Sequence, residues 1–347
     1  MVSRMLEGID MEVSVADDDV ELFRSWTPVD EDLDGLDRAT REMILRFRLG
    51  CCRTDRNCIP YYGPAGDVDE FRDIPYIEDG MRAHLLDVYI PHEAVVRAGR
   101  SLPVYIDVHG GGFVYGYKEL NRNFCLALAR RGFAVVSVGY RVFPQADFLG
   151  QLQDVNAAVN WLSVHAGDYP IDMGRVGITG DSAGACLALF MLAIQGDAGL
   201  IDRDGYGFGP TGLRYGFLVS GKYDLGVYAG GGSGAETAEP DMVRVISGDL
   251  FGSFLDAADR DLALSLRGLA RCGMPPLFLS TSSDDFLQCE TLALAAELAR
   301  VPVDFELHDP RPAKGESLGH VFPVGMPWLP ESGIVLDRAR DFAYEVM

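Results

Sequence analysis

Two glycine motifs about seventy residues apart constrain this chain more than any other feature: His109-Gly110-Gly111-Gly112 and Gly180-Asp181-Ser182-Ala183-Gly184. Each directly follows a short apolar run that reads as a buried strand, Val104 to Val108 and Val176 to Thr179. The second has the form G-x-S-x-G, a strand turning sharply into a helix, with flanking glycines that let the backbone turn without a clash at Cβ. Such a turn lifts the Ser182 hydroxyl clear of the sheet edge. The first motif sets bare backbone N–H groups beside it, where a developing oxyanion needs donors. Either motif alone could be an ordinary glycine turn. In this order, both on strand ends, they point to acyl transfer by a serine nucleophile.

A nucleophilic serine needs a base, and the base needs an orienting acid; around an elbow of this kind they follow in the order serine, acid, histidine. Of the 6 histidines, His84, His92, His109 and His165 precede Ser182, leaving His308 and His320. His308 ends an alternating run, Val303 to Leu307, that reads as a strand. His320 follows a long polar loop with Pro310, Pro312, Lys314 and Gly315, and loops carried on a scaffold hold functional groups more often than strand interiors do. The reading therefore favours His320. His109 opens the oxyanion loop, and its expected role is to hold that loop, with Gly110, by hydrogen bonding to backbone. For the acid, Pro276 to Thr281 reads as a strand ending at Ser282-Ser283-Asp284-Asp285 before a helix, Glu290 to Arg300. Spacing leaves Asp284 and Asp285 both open, one of them as a helix N-cap.

From Leu85 onward the chain alternates strand and helix. Strands are expected at Leu85 to Ile90, Val104 to Val108, Phe133 to Val138, Arg175 to Thr179, Tyr215 to Val219, 276–281 and 303–307. Helices are expected at Leu120 to Arg131, Gln151 to His165, Ala183 to Gln195 and Val335 to Val346. Near-continuous apolar strands in such alternation predict an α/β fold, a mostly parallel central sheet with helices on both faces. Two segments stand outside it. Residues 1–60 carry no strand pattern, and Leu33, Leu36, Met43, Ile44 and Phe47 recur at helical spacing. Asp224 to Arg271 contains Gly230-Gly231-Gly232-Ser233-Gly234 and then reads as helix. Both are expected to fold over the C-terminal ends of the strands as a helical cap, with residues 61–347 forming the catalytic domain and about 224–271 inserted into it.

A formal net charge of -22 argues against nucleic acid and anionic membrane surfaces as partners, since both demand positive surface. No apolar run reaches the length of a membrane span, and Met1 to Asp10 shows no secretory signal. The 7 cysteines are odd in number and scattered, which fits reduced thiols in a cytoplasmic location better than a disulfide framework. Cys51, Cys52 and Cys58 lack a second ligand pair nearby in sequence, so they read as loop or core thiols; no metal and no cofactor are expected.

Taken together, the motifs resemble the hormone-sensitive-lipase-like branch of the α/β-hydrolase esterases, from about Leu102 to Pro323. The residues carrying the resemblance are His109-Gly110-Gly111-Gly112-Phe113, Tyr140-Arg141 before Pro144, Asp154, Gly180-Asp181-Ser182-Ala183-Gly184, Asp285-Phe286-Leu287 and Gly319-His320-Val321-Phe322. The resemblance implies an α/β-hydrolase fold with an N-terminal helical cap and a metal-free esterase of short to medium acyl esters. It implies Asp285 as the acid, and the N–H groups of Gly111, Gly112 and Ala183 as oxyanion donors. Phe286 stands where the family has proline, and Val321 where it has glycine. The expected partner is a small-molecule ester, with homo-oligomerisation left open. An amidase or peptidase with the same triad, and a non-catalytic small-molecule receptor on this scaffold, are the competing functions.

Overall fold

The computed structural model describes residues 17–96, 101–229 and 242–347. Met1 to Asp10 and the run Gly230 to Gly234 therefore lie outside the described residues. Eight strands, β1 (Val68–Pro75), β2 (Leu85–Pro91), β3 (Leu102–Val108), β4 (Ala134–Val138), β5 (Ile171–Asp181), β6 (Leu213–Val219), β7 (Leu277–Ser280) and β8 (Phe305–His308), form one sheet. Their order is β1-β2-β4-β3-β5-β6-β7-β8. Every residue of β3 and β4 is buried, which requires cover on both faces and explains why these strands read as unbroken apolar runs. From β4 to β8 all pairings are parallel, whereas β1–β2 and β2–β4 are antiparallel.

Alternation was expected to begin at Leu85, and β1 corrects that. Its sequence, VDEFRDIP, is charged and its middle is exposed. Register shifts between Phe71 and Ile74, where Asp73 takes a positive φ of 56°. Charge and irregularity of this kind suit a sheet edge and erase the apolar signal of a strand.

The parallel strands end together on one side, and their loops build the site there. Elsewhere the expected helices form with small changes of boundary. In the N-terminal segment the helix is Arg38–Cys58, capped by the Asp37 carboxylate, which accepts from the N–H groups of Ala39 and Thr40. Leu33 and Leu36 precede that cap, so they pack from turns rather than from the helix. Cys51, Cys52 and Cys58 lie on this helix, not on a loop, and Cys52 is buried. The segment after β6 forms several short helices, including Met242–Val245, Ser247–Ala257, Arg260–Ala263 and Leu266–Ala270. Phe251 and Phe254 from this segment join Phe148 and Phe190 in an aromatic cluster with centroid spacings of 5.1–5.3 Å. Among the described residues, no helix is long and apolar enough to cross a membrane.

Candidate active site

Strand β5 ends at Asp181 and the helix Ala183–Gly196 begins two residues later, leaving Ser182 alone to make the turn. Its φ is 52° and ψ −117°, a conformation that costs a non-glycine residue on the order of 1–3 kcal/mol and persists only where the surroundings enforce it. The flanking glycines show what enforces it. A Cβ on Gly184 would lie 2.0 Å from the Val108 carbonyl oxygen, and one on Gly180 would lie 2.6 Å from the Gly184 carbonyl carbon. Strand, turn and helix are thus in direct backbone contact, and the half-buried Ser182 stands at the crossing. The Ser182 N–H donates to Val219 O at 2.9 Å, tying the turn to β6.

The loop after β3 lies beside this turn. Three successive residues take positive φ: Gly111 at 117°, Gly112 at 61° and Phe113 at 68°. Gly111 accommodates the bend because a Cβ there would sit 2.1 Å from Tyr115 O. No described hydrogen bond is donated by the N–H of Gly111 or Gly112, and Ala183, as first residue of its helix, has no intrahelical acceptor for its own. His109 does hold backbone: its Nδ1 contacts Gly110 O at 2.8 Å, while its ring stacks on Tyr140 at 4.2 Å. Burial lowers the His109 pKa to about 4, so the ring is neutral and Nδ1–H donates.

Asp284 and Asp285 take separate partners. Asp285 is buried, and His320 Nδ1 lies 2.9 Å from its Oδ1 and 3.1 Å from its Oδ2. The N–H groups of Leu287 and Val321 donate to the same carboxylate at 2.8 and 3.3 Å. Burial pushes the Asp285 carboxyl up, but the hydrogen bond and charge of His320 outweigh it and hold it below the usual range. An ionised carboxylate only accepts, so His320 Nδ1–H donates to it, and in the neutral ring Nε2 then carries the lone pair. Asp284 instead accepts from Ser317 Oγ at 2.6 Å and from the N–H groups of Leu318 and Gly319 at 3.1 and 3.2 Å. His308, at the end of β8, is not brought to this group; burial and then Arg338 lower its pKa.

The departures from the family pattern have structural consequences. Val321 adopts φ 51°, which a glycine would take freely and a β-branched residue takes under strain. The Phe286 ring lies 4.4 Å from that of His320 and is 63% exposed, so it forms an apolar wall beside the imidazole.

Several residues here escaped the sequence reading. Below the serine, Asp181 Oδ1 accepts from Gly110 N at 3.0 Å and from Asn121 Nδ2 at 2.8 Å, and Asn121 also reaches Asp107 Oδ1 at 3.1 Å. The elbow and the oxyanion loop are thereby cross-linked. Burial, reinforced by the neighbouring Asp181 charge, raises Asp107 to about 7; burial also raises Asp181, against which Asn121 and then His320 act. Phe47, expected only as part of an apolar helix face, and Met242, not singled out at all, also reach the loop: a Cβ on Gly112 would meet Phe47 Cζ at 3.0 Å and Met242 Cε at 3.4 Å. The two segments outside the strand alternation both reach the oxyanion loop. Among the described residues there is no cluster of three or more His, Cys, Asp or Glu able to hold a metal.

In sequence and in fold the chain is similar to known esterases. A family described as BD-FAE matches residues 86–212. Esterase B of Lactobacillus rhamnosis, in a structure inhibited by a C4-C4 SN3 tributyrin phosphonate, superimposes with a TM-score of 0.76 at 25% identity, covering 89% of this chain and 97% of that one. An esterase of the bacterial hormone-sensitive lipase family shares the fold at a TM-score of 0.63 and 20% identity, covering 96% of this chain and 99% of that one. Esterase LipI of Mycobacterium tuberculosis is 36% identical over 98 residues, 28% of this chain and 31% of that protein. The sequence match thus spans less than a third of that relative's length.

Proposed function

We propose that the chain, which is similar to the α/β-hydrolase esterases of the hormone-sensitive-lipase-like branch, is a serine carboxylesterase acting through an acyl-enzyme on Ser182. The observation that carries the proposal is the Asp285–His320 contact on the same sheet edge as a strained Ser182. Ser182 Oγ attacks the ester carbonyl carbon while its proton passes to His320 Nε2. Asp285 keeps the imidazole in the required tautomer and stabilises the imidazolium. The tetrahedral oxyanion accepts from the N–H groups of Gly111, Gly112 and Ala183, donors fixed before the charge develops. Collapse breaks the bond to the alcohol oxygen, which leaves with the proton from Nε2. Water then attacks the acyl carbon, giving its proton to Nε2, and the carboxylic acid departs as Ser182 recovers its own.

The helix Arg38–Cys58 and the helices after β6 act in this reading as a cap over the C-terminal ends of the strands, with residues 61–347 as the catalytic domain into which the second of these segments is inserted. Phe47 and Met242 at Gly112, and Phe251 at 5.7 Å from Phe113, support an acyl pocket walled by apolar side chains. Esterase B is inhibited by a tributyrin phosphonate, and by extension the acyl chain is taken as short to medium. Hydrolysis of p-nitrophenyl butyrate, compared with the matched p-nitroanilide, tests the proposal. Turnover of the ester with little of the anilide is expected. Preference for the anilide would assign an amidase, and no turnover of either would leave a binding protein.

A further inference from the structure

The helix Arg38–Cys58 hides four residues on its inner face, Ile44, Arg48, Cys52 and Asp55, and two of them are of the charged types, an arginine and an aspartate. Arg48 is fully buried, and its guanidinium is saturated. Nε donates to Val114 O at 2.7 Å, Nη2 to Phe143 O at 2.8 Å and to Asp32 at 3.1 Å, and Nη1 to Asp32 at 2.5 Å and Val29 O at 3.3 Å. Two turns on, Asp55 Oδ2 accepts from the hydroxyls of Tyr115 and Tyr117 at 2.6 and 2.9 Å. Both contacts fall on the residues that follow Gly111 and Gly112. The same loop is closed from behind, because Phe143 N donates to Phe113 O at 2.8 Å and Tyr115 N to Gly111 O at 3.0 Å.

We infer that Arg48 is a positioning residue for the oxyanion hole, with Asp55 as a second anchor. This rests on the proposed role of Gly111 and Gly112 as donors. A run of three positive-φ residues ending in a phenylalanine does not hold its shape unaided; its neighbours must over-determine it. Oxyanion stabilisation depends on donors aimed to within a few tenths of an ångström, so a loop that relaxes loses turnover before it loses substrate affinity. Only a guanidinium supplies five donors in one plane; a lysine offers three from a single atom and cannot reach Val114, Phe143 and Asp32 together. The helix is therefore part of the catalytic geometry, beyond any service as a lid.

The test is Arg48→Lys, which keeps a cation beside Asp32, assayed on p-nitrophenyl butyrate after circular dichroism has shown a folded chain. The expected result is a ten- to hundredfold fall in kcat with KM within about threefold. A boronic acid, which mimics the tetrahedral intermediate, should lose affinity by a similar factor. A role in stability alone would lower the melting temperature and leave kcat intact; folded Arg48→Lys with kcat within twofold of wild type overturns the inference. Should Arg48→Lys not fold, Tyr115→Phe, which deletes one oxygen at the second anchor, takes its place: three- to tenfold loss of kcat is expected, and none overturns it. Inactive wild-type protein would instead refute the esterase reading itself.

Discussion

Asp284 and Asp285 are consecutive, yet their carboxylates hold different parts of one loop: Asp285 grips the His320 ring, and Asp284 grips the backbone of Leu318 and Gly319 that delivers it. One acid sets the tautomer and the other sets the loop. Asp285→Ala should reduce kcat about 10⁴-fold with little change in folding. Asp284→Ala should cost about 1–3 kcal/mol of stability and a much smaller share of activity, because the imidazole keeps its partner. Parallel kinetics and denaturant melts separate the two, and equal kinetic damage would mean the roles are misassigned.

The histidines provide a second contrast. His320→Ala should be as harmful as loss of the serine, since members of a triad act as a unit. His308→Ala should cost less than about tenfold, because His308 sits on the edge strand facing Arg338. Steady-state rates of the two variants decide it; the reverse order would move the base to His308.

Asp55 makes stability depend on pH. Burial raises its pKa to about 6 despite hydrogen bonds from Tyr115 and Tyr117. Between the ordinary carboxyl pKa near ~4 and about 6 the folded chain binds more protons here than the unfolded chain, so this site costs stability as pH rises through that window. Asparagine mimics the protonated form at every pH. Asp55→Asn should therefore melt higher than wild type at pH 8, by up to about 2–3 kcal/mol, with the advantage gone by pH 4. Thermal melts across that range test it, and a constant difference would contradict the assignment.

Much of this was legible in the sequence because the informative residues are local. The two glycine motifs announce strand ends, and the apolar runs of β3, β4 and β5 announce a covered sheet. Other parts were hidden for physical reasons. β1 is an edge strand, and its charges remove the alternation that marks a half-buried strand. Asp284 and Asp285 are equivalent in composition and are told apart only by what reaches them from residues 317–321. Arg48 left a signal that could have been read: stepping by fours from Ile44 gives Arg48 and Cys52, with Asp55 three further on. Charged residues on a buried face need partners. Which partners they find, Val114 and Tyr115 beside the oxyanion loop, depends on chain some sixty residues away.

The central claim is that Ser182 becomes acylated, and the most direct measurement is the mass of that adduct. Wild-type protein mixed with p-nitrophenyl butyrate and quenched within milliseconds should release a burst of p-nitrophenol and carry one butyryl group on the peptide containing Ser182. Ser182→Ala should show neither adduct nor burst, with turnover lower by on the order of 10⁴- to 10⁶-fold. An adduct on another residue, or a Ser182→Ala variant retaining a tenth of wild-type turnover, would contradict the account.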